Sequence, residues 1–255
     1  MSGHASTRRA PLLTVYAALV FVFIYLPVVV LIFYSFNRDG VGGFPPRHFT
    51  LDWYRQLFAD VPIWDAVVNS LIVAAGSVAL SLTLGLLAAL ALDRATFSGK
   101  ALFRRLVLLP LILPGIITGL SLLMFAVFVG AQLSLFTIFL GHGTALIAVA
   151  TTELFAGLQK IFWRVTLPNL KLSLIAAGLL IFTLSMDEIA VTFFLIGRYN
   201  TLPLEIWGRL RRGITPEINA VSTLIFAVSV ALIVIWYRIR TRGLGADAQE
   251  LLERT

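Results

Sequence analysis

I-F-W-R-V-T-L-P-N-L-K, residues 161 to 171, decides how this chain is to be folded. Apolar runs long enough to cross a membrane lie on either side of it. The stretch itself carries Phe162, Trp163, Arg164, Lys171 and a proline. A short helix bearing Phe162, Trp163 and Val165 suits a membrane surface or a partner's groove better than a bilayer core. Pro168 cannot continue a helix without losing a backbone hydrogen bond, so a turn into the next span is expected there. Taken alone, the stretch reads either as an ordinary cytoplasmic loop or as a docking element for another subunit.

Composition settles the solvent. Of 255 residues, 59% are hydrophobic and 13% charged, and the apolar residues come in blocks. A helix needs roughly 20 such residues to cross about 30 Å of hydrocarbon. The expected fold is therefore all-α, a polytopic membrane protein whose apolar surface is covered by bilayer and neighbouring subunits. The net charge of +7 points to cytoplasmic loops of a membrane protein and not to nucleic acid. The absence of cysteine excludes a disulfide framework and thiolate metal sites.

Six spans are expected, over residues 12–36, 69–92, 106–129, 136–158, 172–197 and 219–237. The first is read as a retained helix, since its run is too long for a signal-peptide core. Residues 1–11 are then a cytoplasmic segment, 12–242 the transmembrane domain and 243–255 a cytoplasmic tail. In the second span Ser77, Ser81, Gly85 and Ala89 recur at every fourth position, a small-residue seam that lets another helix approach closely. Pro110 and Pro114 should bend or unwind the third. Between the first two spans, Thr50 is a plausible cap for a short surface helix with Leu51, Tyr54, Leu57 and Phe58 near one face. His142 reads as a satisfied interface residue.

Basic residues near the span ends set the orientation. With the N-terminus inside, the inner segments hold Arg8, Arg9, Arg94, Lys100, Arg104, Arg105, Lys160, Arg164, Lys171, Arg238, Arg240 and Arg242, against seven arginines outside. Both termini are expected in the cytoplasm, together with residues 161–171.

Asp187 and Glu188 are the sharpest chemical feature. Two acids inside a span are costly to bury and mark an ion or substrate pathway; Thr183 is assigned to the same pathway. On a continuous fifth helix Asp187 would stand about 22 Å above the inner boundary, and the two carboxylates would face directions about 100° apart. The alternative is an acid paired with an arginine of the outer loop. No enzyme motif is present: no G-x-x-x-x-G-K-[ST], no H-E-x-x-H and no G-x-S-x-G. No metal site, catalytic residue or cofactor is expected, and any ATP-driven motor must be another polypeptide.

W-R-V-T-L-P-N, residues 163–169, resembles the second half of the cytoplasmic signature of bacterial ABC importer permeases. That signature reads E-A-A, three residues, Gly, nine residues, I-x-L-P. Val165, Thr166, Leu167 and Pro168 stand at its close, with Val for Ile. L-P-L-I-L-P-G-I-I-T-G-L-S-L-L (109–123), F-T-L-S-M-D-E-I-A-V-T-F-F (182–194), T-L-P-L-E-I-W (201–207) and T-P-E-I-N-A-V-S-T (215–223) are similar to the spermidine/putrescine type, especially its second permease subunit. The chain departs from the pattern in one place. Phe155 stands where the glycine belongs and 149–151 where E-A-A belongs, as though about twenty residues were missing between Lys160 and Ile161.

The resemblance implies a multi-pass protein of the bacterial inner membrane with the type I importer permease fold. It further implies a second permease subunit, ATPase subunits and an extracytoplasmic solute-binding protein as partners. Phe162, Trp163, Arg164, Val165, Thr166, Leu167 and Pro168 would couple to the ATPase, and polyamines would be the cargo. An amino-acid derivative or opine as solute, and a stand-alone ion-coupled carrier using Asp187 and Glu188, are the alternatives. A carrier often shows inverted halves with matching broken segments, and this sequence has no such match.

Overall fold

The computed structural model describes residues 9–39, 48–159, 166–213, 216–231, 234 and 238. Among them every named element is helical: α1 (Arg9–Ser35), α2 (Asp52–Ala59), α3 (Val61–Arg94), α4 (Lys100–Leu108), α5 (Gly115–Phe128), α6 (Leu135–Gln159), α7 (Thr166–Met186), α8 (Ala190–Leu195), α9 (Leu202–Arg212) and α10 (Pro216–Ala231). Two compact units are formed, one from residues 1–60 with 209–255 and one from 61–208.

In the first unit, α1 contributes a 23-residue apolar stretch, and none of its most apolar window is buried. An apolar helix with so little cover among the described residues suits hydrocarbon or another subunit. Past its end, Asn37 and Phe49 form an isolated antiparallel bridge. The bridge holds α2 near: Trp53 donates its indole N–H to Asn37 O at 2.8 Å, and the Tyr54 and Ser35 hydroxyls lie 2.7 Å apart. The helix starts one residue later than its sequence suggests. Leu51 is the capping residue, and Thr50 Oγ1 accepts from Asp52 N–H at 3.1 Å. Only part of the expected face turns inward. Leu57 is buried and Tyr54 half-buried, while Leu51 and Phe58 are exposed. Asp60 closes this unit by a two-pronged pair with Arg209, at 2.7 and 3.0 Å.

The second unit is organised by α3 and α6. Ser77, Ser81, Gly85 and Ala89 are all buried, so the four-residue spacing is a true packing seam. Ser81 donates to Gly143 O at 2.8 Å and Ser77 reaches Phe139 O at 3.3 Å, both on α6. Such close backbone approach requires small residues and gives their hydroxyls a partner. α6 answers with Gly143, whose side is filled by Leu80 of α3.

Two of the expected spans are not continuous. The third is a pair of helices, Lys100–Leu111 and Gly115–Phe128, bent by 105°. Pro110 and Pro114 account for the break, because neither can donate a backbone hydrogen bond. α5 ends on Gly130 at φ +68, with Ala131 N–H bonded back to Ala126 O at 2.8 Å, the left-handed helix end that glycine allows. The fifth is also broken: α7 stops at Met186, residues 187–189 are not helical, and α8 begins at Ala190. α7 moreover starts at Thr166. Pro168 therefore lies inside the first turn of a helix and does not end one, a position where its missing N–H has no intrahelical partner to lose.

By length and composition, three described helices can cross a membrane, or four if the bent pair is one span. Ser173–Met186 and Pro216–Ala231 are shorter apolar helices.

Candidate functional site

The site is the turn at Asp187, Glu188 and Ile189. Acids placed after a helix C-terminus oppose its dipole, whereas acids at a helix N-terminus are favoured. The chain uses both facts. α7 ends before Asp187, and Glu188 turns to cap α8, its Oε1 accepting Val191 N–H at 3.0 Å. The Glu188 carbonyl accepts the Thr192 hydroxyl at 2.9 Å. The picture of two acids on one continuous helix is thus corrected: they sit in unwound backbone with different tasks. Glu188 is half-buried and engaged. Asp187 is exposed, and its carboxylate has no hydrogen-bond or salt-bridge partner among the described residues. Neither acid pairs with an arginine of the loop that follows.

Thr183 lies one turn before the break, exposed, with its hydroxyl donated to Leu179 O at 2.9 Å. The structure brings it to the same end of α7 as Asp187, but its proton stays within its own helix.

Small residues seat α8 on both sides. A β-carbon on Gly119 of α5 would come within 3.0 Å of the Ala190 carbonyl oxygen and the Val191 Cα. One on Gly115 would stand 3.2 Å from Ala190 Cβ and 3.6 Å from Glu188 Oε1. Across from them, Gly141 of α6 meets Leu195 and Val191. The start of α5, created by the proline break, therefore faces the start of α8, created by the acidic turn. Unwound backbone of this kind at membrane depth is tolerated where it is buried in protein or lines a cavity.

A cavity is present there. Ile116, Ile189, Ala190, Phe193, Phe194 and Trp207 line an open apolar pocket of about 320 Å³. Phe193 meets both Phe194 and Trp207 edge-on, at centroid distances of 5.4 and 6.0 Å. A second cavity, of about 630 Å³, is lined by Leu92, Lys100, Arg104, Arg105 and Phe155, with Arg104 over the Phe155 ring. Its charge repels cations. Phe155 thus packs beneath a guanidinium at the position where the permease signature has glycine. Among the described residues no group of three or more His, Cys, Asp or Glu could hold a metal ion.

Sequence reading missed the aromatic cavity and the caps. Trp207 meets Phe193 from fourteen positions away, beyond any local periodicity. Of the segment expected to couple to an ATPase, Phe162, Trp163, Arg164 and Val165 lie outside the described residues. Thr166, Leu167 and Pro168 are placed only as backbone of α7.

The fold is that of an ABC importer permease. The chain aligns with a crystal structure of a bacterial ABC transporter involved in the import of the acidic polysaccharide alginate, at a TM-score of 0.67 and 14% identity, over 94% of this chain and 98% of that one. No protein-family model matches. Sequence relatives carry the assignment further. The chain is 34% identical to the putrescine transport system permease protein PotI of Escherichia coli, covering 90% of this chain and 91% of PotI. It is 29% identical to the spermidine/putrescine transport system permease protein PotC of Haemophilus influenzae, covering 89% and 94%. This chain belongs to the family of transport-system permease subunits that contains PotI and PotC. The PotI alignment runs over 260 residues yet takes in 90% of 255, about 230, so about 30 aligned positions are filled in PotI alone.

Proposed function

We propose that this chain is a permease subunit of an ATP-driven importer that carries polyamines such as putrescine or spermidine across the bacterial inner membrane. One observation carries the choice of cargo: the unpaired Asp187 carboxylate stands in the chain two residues from the aromatic cavity of Ile189, Phe193 and Trp207. A polyamine is an ammonium group on a methylene chain. A carboxylate attracts the first, and aromatic faces accommodate both the cation and the chain. The names of the relatives support the same cargo. The fold by itself does not, since a related architecture serves an acidic polysaccharide.

In this reading the chain makes six spans with both termini in the cytoplasm. Residues 1–11 and 243–255 are cytoplasmic and 12–242 form the permease domain. It pairs with a second permease, receives solute from an extracytoplasmic binding protein, and has no motor of its own. Phe162, Trp163, Arg164, Val165, Thr166, Leu167 and Pro168 form the foot seated on an ATPase, whose closure rocks the permeases between two discrete states.

Uptake of labelled putrescine by the complete reconstituted transporter tests the cargo site. Asp187→Asn raises the KM while leaving the ATPase subunits bound, and unchanged uptake at limiting polyamine removes Asp187 from the path. Trp163→Ala is expected to lose the ATPase on co-purification without loss of the permease from the membrane. Full recovery of the ATPase would overturn the foot.

A further inference from the structure

The one histidine of α6 grips both sides of the acidic turn. His142 is 1% exposed. Its Nδ1 lies 2.9 Å from Ser185 Oγ, in the last turn of α7, and its Nε2 lies 2.8 Å from Thr192 Oγ1, in α8. Ser185 and Thr192 are themselves buried. Between them runs the whole unwound segment that carries Asp187 and Glu188. A single ring on an unbroken helix thus bridges a broken one.

The direction of these bonds follows from the neighbours. The Thr192 hydroxyl gives its proton to the Glu188 carbonyl, which leaves its oxygen to accept from Nε2–H. A neutral imidazole then accepts the Ser185 proton at Nδ1. The ring, the Thr192 hydroxyl and the Glu188 carbonyl form one ordered chain, and beside it the Glu188 carboxylate separately accepts Val191 N–H. Every buried member has a partner, the condition under which a polar network rigidifies a core. Packing alone does not call for this arrangement. The cluster of Val73, Ile138, Val191 and Leu195, formed by the same α6 and α8 with α3, is apolar.

We infer that His142 is a positioning residue for transport: it pins the α7–α8 break so that Asp187 is held out, unpaired, toward the solute. This rests on the break being the solute's path. The pin acts on affinity for the cation, not on assembly of the subunit. Where i→i−4 bonds are interrupted the chain is free to hinge, and the two ring nitrogens fix the gap that those bonds no longer fix.

Two variants remove the pin: Thr192→Val takes the acceptor away from the buried Nε2–H, whereas His142→Leu leaves no buried donor stranded. Thr192→Val deletes one hydroxyl at nearly constant shape. His142→Leu removes both bonds, while Thr192 keeps the Glu188 carbonyl and Ser185 can turn to a carbonyl of its own helix. His142→Gln places an amide near the Nε2 position and restores the link to Thr192. In the complete transporter, Thr192→Val and His142→Leu should raise the KM for putrescine about tenfold, the equilibrium factor of roughly one lost hydrogen bond. The amount of assembled transporter and the Vmax per transporter should hold, and His142→Gln should recover part of the KM. The chain has no cysteine, so spin labels on cysteines introduced at Leu180 and Tyr199, both exposed, report the break directly. Their distance distribution should broaden in His142→Leu and narrow again in His142→Gln.

A fall in assembled transporter with unchanged KM would make His142 a packing residue and overturn the proposal. So would an unchanged KM with an unchanged distance distribution. Asp187→Asn, run in parallel, separates the two levels. If it alone weakens uptake, the pin fails and the path stands; if it leaves uptake intact, the path itself fails, whatever the labels report.

Discussion

Gly85 of α3 lies against the main chain of Ala150 in α6: a β-carbon added to it would come 3.1 Å from the Ala150 carbonyl carbon and equally close to Thr151 N. The Ala150 Cβ and the backbone behind it stand in the way, with no flexible side chain among them, so the contact cannot be relieved by a rotamer change. Gly85→Val should force the two helices apart and destabilise the protein by about 1–3 kcal/mol, the usual cost of overpacking. Gly208 of α9 is the control, since no described atom lies within 4 Å of its would-be β-carbon. Gly208→Ala should be neutral or stabilise by up to about 1 kcal/mol, through the helix preference of alanine. Thermal unfolding of the purified subunit in detergent reads both, and equal Tm shifts for the two would refute the assignment.

The Asp60–Arg209 pair is mostly shielded, with side chains 21% and 16% exposed. Its two parallel N–H···O bonds depend on the planar fork of arginine. Arg209→Lys keeps the charge and loses the fork, and should cost roughly 1–2 kcal/mol. Asp60→Asn should cost as much or more, because it takes one counter-charge away from a mostly shielded guanidinium. The double variant should be less destabilised than the sum of the single ones, a coupling measurable by a thermal or denaturant cycle. Additive effects would mean that the pair contributes nothing.

Glu188 combines a helix cap with a charge, and chemistry can divide the two. Glu188→Gln keeps an oxygen able to accept Val191 N–H and so keeps the start of α8, while it removes the charge. Glu188→Ala removes both, and the lost cap should cost about 1 kcal/mol of stability. Uptake and unfolding measured on the same preparations are expected to diverge. The glutamine variant should match the parent in Tm, with any change confined to uptake, while the alanine variant falls in both. A glutamine variant as unstable as the alanine one would contradict the capping role.

Much of this architecture could be read beforehand, and the reason differs from element to element. The seam from Ser77 to Ala89 was legible because helix packing requires small side chains at a fixed interval, and the interval is local. The bend before α5 was legible because proline carries its effect in its own ring. The break after Met186 was not, because hydropathy runs on unchanged through Ile189 and Val191, and only the pair of acids interrupts it. The one signal was chemical: an acid three residues before Val191 in an apolar run is also a helix cap. His142 could be judged satisfied, but not by whom, since its partners lie 43 and 50 residues further on.

The bareness of α1 has a consequence for the life of the protein in the cell. Tyr16, Phe21, Phe23 and Phe33, spread around α1 and exposed among the described residues, make the lone subunit an unfinished object. Made in excess over its mates, it should be the copy that quality-control proteases clear first, so that the stoichiometry of the whole machine is policed by its first helix.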